Sequence, residues 1–464
     1  MTQLRRGIGL RTVVSTGAGM ALASVTYISF IQLASYLTGN SAWIAILTAG
    51  LMALLAGSCF SELNSMYPTA AGIKLFIERA FGERAAIILA GVYVMGQLAV
   101  VGAEIYILSQ AISQGVTIIP PIIWAVIFVL FLAFLNFRGI TFAGTAQDIM
   151  AYLMFLGLIA ISIYGFYSID FKISQPFLIG SLDGFIQAVA IGITAYIGFE
   201  WVINVSEEVT DVKIVPKGMM MALGLLAITY ALFSTAMTSV LGWDLLGPTI
   251  TPEGIPTPHV LYGKYLFGTF GLYLMILMGL LASATSLNAG IMTASRFVYA
   301  MARDWSLPRF LARLHPRYAT PWVAMLVILG YCALIVVYAF ISRHVLSMLL
   351  IIASSECIIY VIMALCVIRL RRKEPDKERS FRLPGGIIIP IFVIVVYGIV
   401  GLFVLFGPMS PDELIDQRIA LGFIVALFIL NAFYVFTIWP GLRAKYQKIA
   451  EARTPRRRRP GGDD

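Results

Sequence analysis

Apolar runs long enough to cross a bilayer recur along this 464-residue chain, and no other feature narrows its possible folds so far. A transmembrane helix needs about 20 mostly apolar residues. The hydropathy pattern marks twelve such spans, at roughly 13–36, 42–65, 85–113, 120–137, 146–168, 183–204, 218–242, 266–302, 321–341, 345–369, 386–407 and 419–440. The runs at 85–113 and 266–302 are long, which tilt or extension into water would accommodate. Only 12% of residues are charged, against about 25% in a soluble domain. Backbone groups inside lipid must be satisfied within the segment, so the expected fold class is an all-α membrane protein. Arg5, Arg6 and Ala21-Leu22-Ala23 imitate a signal peptide and its cleavage site. The apolar run nevertheless continues to Tyr36, which predicts a retained first span.

Orientation follows from the basic residues. With the N-terminus inside, 29 of the 33 Lys and Arg residues fall on the cytoplasmic side; only Lys172, Lys264, Arg343 and Arg418 fall outside. This satisfies the positive-inside rule and agrees with twelve spans, because losing one would invert every later loop. The expectation is a multi-pass protein of the cell inner (cytoplasmic) membrane with both termini cytoplasmic. The net charge of +9 is thereby a matter of topology, with no nucleic-acid partner implied. Arg456 to Arg459 form a basic tail that can meet anionic lipid; no fixed structure is expected beyond Tyr446.

The first span is interrupted by Ser15-Thr16-Gly17-Ala18-Gly19 where an ordinary anchor would be solidly apolar. A loosened helix survives in a membrane only against protein or a wet cavity. If residues 17–19 unwind, the next half-helix presents free amide N–H groups and the positive end of its dipole, which suits a carboxylate. Close helix packing through small residues is the alternative reading. The sixth span repeats the pattern, Ile191-Gly192-Ile193-Thr194-Ala195-Tyr196-Ile197-Gly198-Phe199-Glu200-Trp201. Glycine-broken helices at matching positions of two five-span halves point to a transport site at the bilayer midplane.

Three glutamates lie inside spans: Glu104 in the third, Glu200 in the sixth and Glu356 in the tenth. A charge at bilayer centre costs at least about 2.5–3.5 kcal/mol. Such a residue takes up a proton, meets a cationic substrate, or reaches water at a helix end. Gln97 and Glu104 are seven apart and share one face of an unbroken helix. Glu200, beside its helix break, carries the strongest functional expectation; for Glu356 a structural role is expected. Tyr27, Tyr93, Tyr196, Phe199 and Trp201 are aromatic candidates for a gate or pocket wall, with Tyr196 and Phe199 flanking the break. Glu62 and Asp148 sit at span ends, and Glu207, Glu208 and Asp211 form an acidic exit that Lys213 or Lys217 could pair.

Enzymatic classes find no support. Cys59, Cys332, Cys357 and Cys366 have no paired short spacing, so neither disulfides nor a metal site are expected. His259, His315 and His344 read as solvated loop residues, and neither HExxH nor GxSxG occurs. No cofactor is expected.

Several stretches resemble the amino acid–polyamine–organocation (APC) superfamily of permeases. Glu62-Leu63 through Tyr67-Pro68-Thr69-Ala70-Ala71-Gly72, then Arg79-Ala80-Phe81-Gly82, are similar to the family signature after the second span. Asn136-Phe137-Arg138-Gly139 resembles the turn into the fifth. Tyr196 to Glu200 with Glu207-Glu208-Val209 and Pro216 resembles the sixth span and its exit. Ser295-Arg296, Tyr299 to Asp304, Leu307-Pro308 and Thr320-Pro321 resemble the eighth span and its loop. The resemblance covers roughly residues 10 to 325. It implies a 5+5 inverted repeat with helices 1 and 6 broken, plus two C-terminal helices: a transport core over 1–370, the additional pair over 371–440 and a tail over 441–464. It further implies a substrate carboxylate on the amides near Gly17, Ala18 and Gly19, and the substrate amine on carbonyls near Tyr196, Ile197 and Gly198. Glu200 falls where the arginine–agmatine and putrescine–ornithine antiporters carry a functional glutamate, and Gln97 where the former has an asparagine. Departures are Gly290, where that antiporter has a stacking tryptophan, and Met154, near where some proton-driven relatives have a lysine.

The resulting expectation is a secondary-active transporter of amino acids or related amines, by exchange or proton coupling, with a slight tilt to cationic amino acids or polyamines. Gln97, Glu104 and Phe199 join the substrate-binding set, and Glu200 serves proton coupling or cation recognition. A neutral amino-acid proton symporter is the alternative, and a non-transporting amino-acid sensor on the same scaffold is the rival class. Protons and membrane lipids are the other expected partners.

Overall fold

The computed structural model describes residues 4, 6–23, 31–115, 118–173, 181–241, 258–411 and 413–453. Sixteen α-helices follow one another: α1 Leu10–Gly19, α2 Ile31–Thr38, α3 Ala42–Met66, α4 Gly72–Phe81, α5 Glu83–Gln97, α6 Ala99–Gly115, α7 Pro121–Phe137, α8 Ile140–Ser168, α9 Leu182–Thr194, α10 Ile214–Leu241, α11 Pro258–Arg303, α12 Trp322–Ser342, α13 Val345–Lys373, α14 Ile388–Phe406, α15 Glu413–Phe433 and α16 Trp439–Arg453. Among the described residues there is no β-strand, only an isolated bridge between Ile8 and Val209. Among the described residues ten helical stretches are long and apolar enough to cross a membrane, and Pro121–Phe137 is a shorter apolar helix of 17 residues.

The packing is that of a protein solvated by lipid. Leu130, Leu156, Leu334, Ile399 and Ile429 are each more than 60% exposed. A contiguous apolar surface of this kind needs a membrane or partner to cover it. Polar side chains such as Ser15, Gln97, Glu104, Glu200 and Asn288 are instead buried. Helix α10 packs along α3, α1 and α8 at the centre, while α14 and α15 flank α13.

Several expected rods are interrupted. The first helix of the first span ends at Gly19 and gives way to a turn over 20–22; 24–30 lie outside the described residues, and a helix runs over Ile31–Thr38. The third is broken at Leu98, between α5 and α6, so the straight-helix face shared by Gln97 and Glu104 does not hold across it. The sixth stops at Thr194 and continues as a 3₁₀ stretch over Phe199–Val205. At the start of the eighth span the chain reverses. Gly268 adopts φ 61°, ψ −140°, a conformation essentially confined to glycine. The backbones of Gly263 and Gly271 then meet, since a Cβ on Gly271 would stand 1.8 Å from the Gly263 carbonyl oxygen. Helix α11 is thus a hairpin whose short arm, 258–267, precedes the long arm, 269–303, that carries the expected eighth span.

One face is laced together by the loops that carry most of the basic residues. Gly7 and Ile8 N–H donate to the Glu208 carbonyl (2.8 and 3.1 Å), and Thr210 N–H to Ile8. The Thr320 hydroxyl donates to the Phe137 carbonyl, Lys373 Nζ to that of Arg79, and Arg309 N–H to Tyr446 Oη. Arg371 pairs with buried Glu62 through both carboxylate oxygens (2.8 and 2.5 Å), which also accept the Leu383 N–H. Arg443 meets Glu83 at 2.7 Å.

Three expectations need correction. The chain stays helical past Tyr446, to Arg453, because Tyr446 packs on Trp305 with ring centroids 4.2 Å apart; Arg456 to Arg459 lie outside the described residues. His259 is buried at the start of α11 rather than solvated. Of the acids after the sixth span, Glu207 and Glu208 are held by Arg303 and Arg296 of α11 rather than by a lysine, because the exit folds beneath the end of that helix, while Asp211 accepts from the Lys213 N–H at 3.0 Å. Arg296 is accordingly buried within α11.

Candidate functional site

The two interrupted spans meet. Gly198 has φ +104°, and a Cβ there would stand 2.4 Å from Met20 Cβ. Gly17 lies against the Phe199 carbonyl, 3.5 Å from its missing Cβ. Only glycine meets both demands at position 198: left-handed backbone and contact without side-chain volume. Residues 17–19 themselves remain helical, so the first break begins at Met20 rather than within the glycine pair.

Freed main chain at this break is met by side chains from other spans. Tyr230 Oη of α10 donates to the Ala21 carbonyl, and the Ser286 hydroxyl of α11 donates to that of Met20 at 3.3 Å. A Cβ on Gly19 would fall 2.1 Å from Gln147 Nε2, which itself donates to the Ser15 carbonyl at 3.1 Å. From Gln147 a buried polar chain runs outward. Its Oε1 accepts from Asn288 Nδ2 at 2.8 Å, and Asn136 Nδ2 donates to Asn288 Oδ1 at 3.0 Å. On the other side Asp148 accepts from Ser15 (2.5 Å) and Thr12 (3.0 Å). Asp148 therefore anchors the first half-helix and is more than an end-of-span acid.

At the second break, the N–H groups of Ala195, Tyr196 and Ile197 close tight turns onto Gly192, Ile193 and Thr194. Tyr196 points away from the break and donates to the Ile46 carbonyl at 2.9 Å. Phe199 packs edge-on against Phe60 and Tyr360. Gly17, Ala18, Gly19, Tyr196, Ile197, Gly198 and Phe199 are all buried within this junction.

Glu200 lies just behind it, fully buried. Tyr93 Oη donates to one carboxylate oxygen at 3.1 Å and Tyr360 Oη to the other at 2.8 Å. Rings close the surroundings: Tyr93 stacks on Trp201 at 5.0 Å, and Tyr360 meets Tyr397 edge-on at 4.8 Å. Glu356 is also fully buried, and its electrostatic neighbour is the Glu200 carboxyl. Among the described residues no group donates to either Glu356 oxygen. Gln97 is buried at the end of α5 with both amide atoms lacking a hydrogen-bond partner among the described residues; Glu104 is buried one helix later. Tyr27 lies outside the described residues.

Sequence reasoning passed over Tyr360 and Tyr397, and the Gln147–Asn288–Asn136 chain. Tyr360 had a readable signal, because it stands four residues after Glu356 and so shares its helix face.

A cavity of about 620 Å³ opens at the laced face, lined by Arg6, Ser206, Glu207, Tyr299, Arg303 and Arg309 among others. Glu207 stands at its wall, bound by Arg303 through both oxygens (2.5 and 2.7 Å), by the Thr69 hydroxyl (2.8 Å) and by Ala70 N–H (3.1 Å). Burial works to raise the Glu207 carboxyl, but the guanidinium and these donors outweigh it and hold the group below the ordinary carboxylate range. Beneath it Glu208 and Arg296 form a buried pair at 2.5 Å.

Chain comparisons agree with this architecture. The family model described as amino acid permease matches residues 8–436. The branched-chain amino acid permease BcaP of Bacillus subtilis (strain 168) is 24% identical over 408 residues, covering 83% of this chain and 85% of that protein. The methylthioribose transporter of the same organism is 25% identical over 406 residues, 82% and 80% of the two chains. The vacuolar cationic amino acid transporter 4 of Arabidopsis thaliana is 24% identical over 404 residues, 81% and 64%. With the family model matching nearly the whole chain, this protein belongs to the amino acid permease family of the APC superfamily and is a multi-pass membrane transporter rather than an enzyme.

Proposed function

We propose that this chain moves amino acids or closely related amines across the cytoplasmic membrane by alternating access, with twelve spans in a 5+5 inverted repeat and both termini cytoplasmic. One observation carries the reading: the interrupted first and sixth helices touch at Met20 and Gly198 in the buried centre. Broken helices of this kind expose main-chain dipoles, which suit the carboxylate and ammonium of a zwitterion. The carboxylate is placed at the break that follows Gly17, Ala18 and Gly19, and the amine at Tyr196, Ile197 and Gly198, with Phe199 and Gln97 as walls.

Glu200 is assigned to proton coupling. Both its oxygens already accept from phenols, which supports a held carboxyl over one waiting for a substrate ammonium. That bonding favours neutral amino acids over cationic amino acids and polyamines, against the tilt drawn from intramembrane acids alone. The names of the relatives span both classes, one branched-chain and one cationic.

The test is uptake by the purified full chain in liposomes, with an imposed proton gradient and a panel of labelled neutral amino acids, cationic amino acids and polyamines. Accumulation of a neutral amino acid that collapses with a protonophore is the expected result. Saturable binding without flux for every compound would favour the sensor reading instead.

A further inference from the structure

The Glu356 carboxyl has no evident structural duty. It is fully buried on α13, and among the described residues no donor reaches either oxygen. A bare carboxylate in such a place would carry the full cost of desolvation. Among the described residues none of the groups that act on it is a cation. Tyr360, one turn further along α13, donates to Glu200 and thereby brings the Glu356 face to the sixth-span break. Helix α5 contributes Tyr93, also committed to Glu200. From α14 comes Tyr397, whose buried hydroxyl has no hydrogen-bond partner among the described residues and which interacts electrostatically with both glutamates. Cys59 of α3 acts on Tyr397, and Cys357 neighbours Glu356 on its own helix. Helix α6 carries the buried Glu104, and on α15 Asp416 is engaged at the far end by His344 and the Ser347 N–H.

Hydrogen-bond accounting separates the two acids. An ionised carboxylate offers about four lone-pair sites and no donor, whereas a protonated carboxyl can donate one hydrogen bond. Glu200 is the acceptor of the pair, with a phenol on each oxygen and lone pairs to spare. Two facing carboxylates in a dry site cannot both be charged without strong repulsion.

We propose that Glu356 is a second proton-binding site of this transporter, holding a proton that it donates to the Glu200 carboxylate, so that the two acids from the sixth and tenth spans act as one proton-sharing pair. The proposal deepens the coupling role given to Glu200 and rests on that reading. One proton is retained on the Glu356 oxygen and no bond other than the hydrogen bond changes. A transport cycle coupled through Glu200 therefore passes through a pair with two titratable members.

Infrared spectroscopy of the full chain in lipid nanodiscs tests this without any substrate. At neutral pH the wild type should show the C=O stretch of a buried protonated carboxylic acid. Glu356→Gln should lose that band. Glu200→Gln should keep it but move it to higher wavenumber, because a carboxylate acceptor has become a weaker amide one. If Glu356→Gln does not fold, Glu356→Asp decides: a displaced band supports the assignment, an unmoved one overturns it. A band unaffected by Glu356→Gln, or unmoved by Glu200→Gln, also overturns it. A protein that shows this pattern yet transports nothing loses the transport reading and keeps the proton site. One that transports with no Glu356 band does the reverse.

Discussion

At the scale of single residues, Gly198 carries the sharpest demand in the molecule. Its left-handed backbone and its contact with Met20 leave room for hydrogen alone. Gly198→Ala should cost about 1–3 kcal/mol through backbone strain, read as a lower melting temperature of the purified protein, with uptake falling further than stability. Gly224→Ala, where a Cβ meets nothing within 4 Å, is the control expected to leave both unchanged. Glu200 belongs to the same scale. If it couples transport to protons, Glu200→Gln abolishes the pH dependence of uptake, and a preserved pH profile removes it from the mechanism. Much of this was legible in advance: the Gly-interrupted runs and the buried acids stand out in a sequence where polar residues within spans are expensive. The Tyr93 and Tyr360 hydroxyls on Glu200 were not, because their spans are remote in sequence and only tertiary packing brings them together.

Between elements, the tie from Glu207 to Arg303, Thr69 and Ala70 closes the last turn of α11 against the sixth-span exit and the loop before α4. The sign of its pH dependence follows from the lowered carboxyl. The group is depressed in the folded protein, so its contribution is complete above the ordinary glutamate value of about 4.3 and disappears only as pH falls through the lower folded value. Acidification from neutrality to about pH 5 should leave this tie intact. Arg303→Ala should weaken it by about 1 kcal/mol, a modest figure because the guanidinium is part-exposed, seen as faster amide hydrogen exchange over residues 66–72 and 206–212; unchanged exchange would dismiss it as a closure. The hairpin of α11 illustrates what hydropathy cannot convey. The run 266–302 folds almost wholly as one long arm, as it reads, but a window average is blind to the backbone reversal at Gly268 and to the short arm, 258–267, ahead of it. Gly268→Ala should cost about 1–3 kcal/mol for the same stereochemical reason, with circular dichroism and melting as the measures.

For the molecule as a whole, the all-helical class and most span positions were readable because twenty apolar residues in a row have few alternatives. The break in the third span was not, since Leu98 is as apolar as its neighbours. Sidedness can be settled with the chain's own chemistry. All four cysteines are buried free thiols, so they provide a quiet background for an impermeant maleimide. On the proposed topology, Ser410→Cys is labelled in intact cells and Glu378→Cys only after permeabilisation; the opposite pattern inverts the protein.

The small bridge between Ile8 and Val209 reaches further than its size suggests. The leader of the first span and the exit of the sixth are stitched edge to edge there, while the same two spans press together at Met20 and Gly198. Two rods pinned at both an end and a middle cannot hinge separately. Whatever swings one must carry its twin, and a cut or a bulky tag placed just ahead of Gly7 should disturb the rocking of both.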